Sequence, residues 1–158
     1  MTNLWTPGTG TDGRTSVWFN PVTKLQLGGV YFWRQGTIRL VANWMLIGET
    51  LVSPAIRIGH GVQGVGSGKT VTFATLEKST GFADLNVEGY VGLSVRGFEG
   101  HFHELYGVKV TPTGPITVGL QFDGHNSHPF ATYKLQSGSA SVYLVNGKSL
   151  GFMYSMRY

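Results

Sequence analysis

Apolar residues recur at every second position along most of this chain, and no stretch repeats them at the spacing of an amphipathic helix. A period of two puts one set of side chains on a single face of a strand, so the chain must be built largely from strands. Leu25, Leu27, Tyr31 and Trp33 share one face, and Ile38, Leu40, Ala42, Trp44 and Leu46 share the next. Val71 and Phe73 begin a third strand, and Val87, Val91, Leu93 and Val95 form a fourth. The cleanest case is Ile116, Val118, Leu120 and Phe122, interleaved with Thr117, Gly119, Gln121 and Asp123. Val142 and Leu144, then Leu150, Phe152, Tyr154 and Met156, close the series. Such alternation predicts antiparallel strands with the apolar face turned to a core.

Turn signals separate the runs: Asn20-Pro21, Gly28-Gly29, Ser53-Pro54, Gly114-Pro115, Asp123-Gly124 and Asn146-Gly147. The last of these, between two apolar runs, predicts a two-residue hairpin. Thr75–Thr80 admits a single helical turn. Residues 1–16, rich in Gly and Thr, read as a flexible N-terminal arm, leaving 17–158 as one domain. Seven to nine short strands without a fixed repeat predict an all-β antiparallel β-sandwich, with jelly roll or Greek key topology and the jelly roll foremost.

The 158 residues suffice for one domain with its own core. There is no Cys, which excludes disulfides, thiolate metal ligands and a thiol nucleophile. Only 13% of residues are charged while 24 are Gly, so the surface is polar without charge or covered by partners. The net charge of +4 is scattered, which allows non-specific attraction to nucleic acid but marks no dedicated groove. The first residues lack a secretory leader pattern. The most apolar stretch, Leu40–Val52, is broken by Asn43, Gly48, Glu49 and Thr50, so no membrane span is expected.

Gly66-Ser67-Gly68-Lys69-Thr70 ends like a phosphate-binding P-loop. The glycine the motif requires five positions before Gly68 is replaced by Gln63, and Val71-Thr72-Phe73 reads as a strand where a helix is needed. A Gly-rich loop between strands is the better reading, and no cofactor is expected. His101 and His103 are the candidate metal ligands, since alternate strand residues point to one side. Glu104 points away, and His125 or His128 would have to supply a third ligand. No Gly-x-Ser-x-Gly elbow is present and acids are few, so no enzyme is expected.

Residues 31–46, YFWRQGTIRLVANWML, resemble a strand of the capsid proteins of picorna-like viruses of the dicistrovirus and iflavirus types. The likeness rests on Phe32, Trp33, Arg34, Gly36, Thr37, Ile38 and Arg39, with Gln35 as an extra residue. Tyr143, Gly147, Leu150 and Gly151 are similar to the last strand of those proteins, although Lys148 and Ser149 replace its acidic pair. The resemblance implies a capsid subunit that co-assembles with other capsid subunits into an icosahedral virion around nucleic acid. It puts Trp33, Arg34 and Arg39 on a central strand. Trp5, Trp18, Arg34 and Arg39 are then the candidate assembly contacts. The alternative is a lectin-like or receptor-binding sandwich, with a host receptor or glycan held by the loops Gly59–Gly68 and Asp123–Pro129.

Overall fold

The computed structural model describes residues 1–9, 11–62, 68–96, 99 and 101–157. It is all-β, with twelve strands: β1 (Thr2–Thr6), β2 (Asp12–Val22), β3 (Leu25–Phe32), β4 (Thr37–Ile47), β5 (Ala55–Val62) and β6 (Thr70–Phe82) form the first half. The second half is β7 (Leu85–Val95), β8 (Phe102–Pro112), β9 (Ile116–Phe122), β10 (Ser127–Leu135), β11 (Gly138–Val145) and β12 (Ser149–Met156). Each strand pairs antiparallel with its neighbour in sequence, and β12 pairs with β1 from Thr2↔Ser155 to Trp5↔Phe152. The sheet therefore closes into one barrel and has no free edge.

This corrects the expected sandwich and jelly roll. A sandwich needs long connections that carry the chain from one sheet to the other. Here the connections are short, so each strand finds its sequence neighbour, and right-handed sheet twist brings the last strand back to the first. Residues 1–16, expected as an arm, supply β1 and the start of β2, the staves that complete the ring. Thr75–Thr80 is strand, inside β6. The segment 63–67 of the expected Gly-rich loop lies outside the described residues, while Thr70–Phe73 is strand as expected.

Two expected turns are also strand. Gly28 lies within β3 opposite Trp18, where a Cβ would sit 2.3 Å from the carbonyl of Val17. Asn20-Pro21 falls where the β2–β3 register shifts between Phe19 and Val22, a bulge that tolerates a missing N–H. Asn146-Gly147 does turn β11 into β12, both residues with positive φ, in a three-residue loop.

An even number of strands puts residues 1 and 157 at one end, here called the terminal end, joined by 23–24, 48–54, 83–84, 113–115 and 136–137. The opposite, loop end carries, of the described residues, 7–9, 11, 33–36, 68–69, 96, 99, 101, 123–126 and 146–148.

The alternation is as expected, but its direction is inverted. Paired residues project to the same side of a sheet, so the register sorts every strand into two faces. One face holds Thr75, Ser94, His103, His128 and Ser141, all buried, and it is the inside. The other face holds Ile38 (72% exposed), Leu40 (79%), Val91 (57%), Ile116 and Phe152. Of the apolar faces read from sequence, only Val71 and Phe73 point inward. Trp44, expected in a core, is 52% exposed. Buried apolar residues form only two small groups, Leu4 with Val145 and Val30 with Phe32 and Val41.

Candidate functional site

The interior is a polar lumen built by a repeated device. Phe73 faces Gly59, Tyr90 faces Gly107 and Phe130 faces Gly119 across neighbouring strands. A Cβ on any of these three glycines would lie 2.5 Å from the facing ring. Each ring therefore lies flat on the bare backbone opposite and does not project across the barrel. Large aromatic side chains line the wall, and space is left on the axis. The glycine content, read from sequence as turn punctuation, is partly lumen lining.

Several charged groups on the wall are paired. Arg57 donates to Glu77 through Nε (2.8 Å) and Nη2 (3.0 Å), and Thr75 Oγ1 donates to the same carboxylate at 3.0 Å. Lys109 Nζ stands 2.8 Å from Glu88. Hydroxyl pairs Thr111–Thr117, Thr132–Ser141 and Thr2–Ser155, each at 2.8 Å, continue the polar lining. Among the described residues no buried side-chain nitrogen or oxygen lacks a partner.

Three cavities follow one another inside. One of about 440 Å³ lies toward the loop end, between Arg14, Arg57, Phe73 and Asp123. It shares Glu77, Tyr90 and Gln121 with a second of about 350 Å³. That one shares Lys109 and Phe130 with a third of about 440 Å³, which reaches Lys134 and Arg157 at the terminal end.

The loop end carries the histidines. Glu99, His101 and His103 bring one possible ligand atom each within 4.8 Å of one another. The His101 and His125 rings each lie 4.6 Å from that of His103. The acid in this group is Glu99, which sequence reasoning missed because it precedes the strand; Glu104 is exposed on the outer face, opposite Leu93. His128 is elsewhere, fully buried, with Nε2 3.0 Å from Asp123 and Nδ1 accepting from the Asn146 N–H at 3.3 Å. It ties two loops together.

Glu99 is held by two cations and a histidine. Arg96 Nη1 reaches both its oxygens at 2.9 and 3.1 Å, His103 Nε2 lies at 2.8 Å and Lys69 Nζ at 3.8 Å. The Arg96 hydrogen bonds, against a smaller upward push from burial and with help from His103 and the Arg96 and Lys69 charges, lower the Glu99 carboxyl to about 2. Burial pushes Asp123 up, but the His128 hydrogen bond and the Asn126 and His125 N–H groups outweigh it and leave the carboxyl lowered. A divalent ion at His101 and His103 would have to displace two cations from Glu99, so the donor set is right and the surrounding charge is wrong.

The four candidate assembly contacts are not brought together. Trp5 stacks on Phe152 outside the barrel, with centroids 5.8 Å apart. Trp18 lies over Gly28. Trp33 and Arg34, expected on a central strand, are in the β3–β4 turn, where Arg34 approaches Asp12 at 3.8 Å. Arg39 is on β4 opposite Val30.

Compared with protein families, curated proteins and solved structures, the chain matches none.

Proposed function

We propose that this chain is a membrane-spanning β-barrel whose polar lumen gives small hydrophilic solutes a path across a lipid bilayer. The observation that carries the reading is the inverted burial: polar side chains inside, apolar side chains outside, around the whole ring. In water the hydrophobic effect would drive the opposite arrangement. A continuous apolar exterior of this extent needs lipid or partners to cover it. Only closed barrels and helices satisfy every backbone group within a bilayer. Among the described residues no helix is long and apolar enough to cross a membrane, and a barrel crosses with strands.

The outer face is also graded along the barrel axis. Toward the loop end, strand positions carry exposed Trp5, Tyr31, Phe102 and Phe152; toward the terminal end they carry Phe19, Trp44, Phe82, Tyr133 and Tyr154. Between them lie Leu40, Ile58, Val91, Leu93, Val108, Val118 and Val142. Two aromatic girdles around an aliphatic belt match the two interfaces and hydrocarbon core of a bilayer. Tilted strands of eight to thirteen residues, as most are, climb roughly 20–30 Å, the thickness such a belt requires.

Refolding from urea, into phosphatidylcholine vesicles or into plain buffer, tests the proposal. The expected result is β-rich circular dichroism and protease protection only with lipid, and conductance steps when the folded protein is added to a planar bilayer. Folding to a dispersed monomer in buffer with no vesicle binding would sink it. Uniform nucleic-acid-filled shells in lipid-free buffer would instead support the capsid-subunit proposal, with neighbouring subunits covering the same apolar face.

A further inference from the structure

We infer that the terminal end of the lumen is an anion-binding mouth, so that the path favours small solutes bearing phosphate, sulfate or carboxylate; this rests on the reading of the barrel as a solute path. The mouth is the cavity of about 440 Å³ that reaches Lys134 and Arg157, with Lys109 at its inner limit. Among the described residues no carboxylate side chain lines it. Thr117, Thr132 and Ser139 supply hydroxyls to its wall. Lys109 is shared with Glu88 at 2.8 Å, while among the described residues neither Lys134 nor Arg157 enters an ion pair. The backbone holds both in position: the Lys134 N–H donates to the carbonyl of Pro115 at 2.7 Å and the Arg157 N–H to that of Ser137 at 2.9 Å.

The loop end provides the contrast. There the acids are already engaged: Glu99 with Arg96, Asp123 with His128, and Asp12 with Arg34. The terminal mouth thus carries positive charge, with no facing carboxylate side chain among the described residues. A narrow mouth walled by low-dielectric protein and lipid focuses such a field and raises the local concentration of anions. The guanidinium of Arg157 offers paired donors to an oxyanion, and the Lys134 ammonium adds a point charge. An anion moving inward next meets Lys109, where Glu88 cancels part of the field. It can therefore leave the mouth, as conduction requires.

Reversal potentials in planar bilayers under a potassium chloride gradient, repeated with potassium phosphate, test this. For the unaltered chain, chloride is expected to be several-fold more permeant than potassium at about 0.1 M salt, with the bias shrinking near 1 M as screening shortens the field. Lys134→Gln combined with Arg157→Gln should remove most of the bias while channels still open, and each single change should remove part of it. Lys148→Gln, at the opposite end, should leave the bias unchanged. Channels that conduct without anion preference, or a bias untouched by the double change, would overturn the anion mouth and leave the solute path standing. Inserted, protease-protected barrels that never conduct would take down the solute path itself.

Discussion

The two faces of the same strands obey opposite rules. On β4, Ile38, Leu40, Trp44 and Ile47 point out, while Val41, Asn43 and Met45 point in. On β7, Val91 and Leu93 point out, while Glu88, Tyr90, Gly92 and Ser94 point in. The outer face is mostly apolar, with few charges, Glu104 and Lys78 among them. The inner face is uneven, mixing glycine, aromatic rings, hydroxyls and ion pairs, because each position there has a specific neighbour across the strand. What selects the outer face is a solvent, and what selects the inner face is a set of contacts.

The sharpest way to break this comparison is to put one charge on each face. Val91→Arg, mid-strand on the outer face, should destabilise the barrel in vesicles by about 2–4 kcal/mol, while Thr117→Lys on the inner face should change little. Urea unfolding in vesicles measures both, and equal effects would erase the distinction between the faces.

Glycines offer a second contrast of smaller size. Gly107→Ala inserts a Cβ 2.5 Å from the Tyr90 ring, whereas Gly89→Ala meets nothing closer than 3.6 Å. The inner change should cost about 1–3 kcal/mol by overpacking and lower single-channel conductance by tipping the ring into the lumen. The outer change should do neither.

Third comes the Arg57–Glu77 ion pair on the inner wall. Glu77→Gln leaves Arg57 without its carboxylate in a half-buried, wetted site, and a loss of about 1–2 kcal/mol is expected, between the exposed and fully buried cases. A Glu77→Gln, Arg57→Gln pair should recover part of it in the same unfolding assay.

The smallest effect belongs to the loop end. Glu99 is lowered from its ordinary 4.5 to about 2, so its contribution is fully present above 4.5 and fades as pH falls through 2. A carbon-13 titration of its carboxyl in micelles should show a midpoint near 2, and Arg96→Gln should move that midpoint up. A midpoint already near 4.5 in the unaltered chain would mean the Arg96 contact does not form.

Much of the fold was legible. The alternation at Ile116–Phe122 and Ile38–Leu46 marks strands, and Asn146-Gly147 marks a hairpin, because both signals are local. Strand number was not: Gly28-Gly29 and Asn20-Pro21 look like turns until Trp18 and a bulge occupy the space opposite. Of the loop-end cluster, His101 and His103 were visible as an alternating pair. Glu99 was not, since only the bend before β8 brings its carboxylate back to them. The lumen was invisible, because Arg57, Glu77, Tyr90 and Gln121 come from four different strands.

By itself the sequence determined that this chain is antiparallel β, since side-chain period follows from the backbone alone. It could not determine which face is inside. Alternating apolar and polar residues satisfy a sandwich with an oily core and a barrel with an oily exterior equally well. Only the closure of β12 on β1 decided between them: a ring has an inside, and the register fixed Arg57, Glu77 and Ser94 within it and Leu40 and Val91 without.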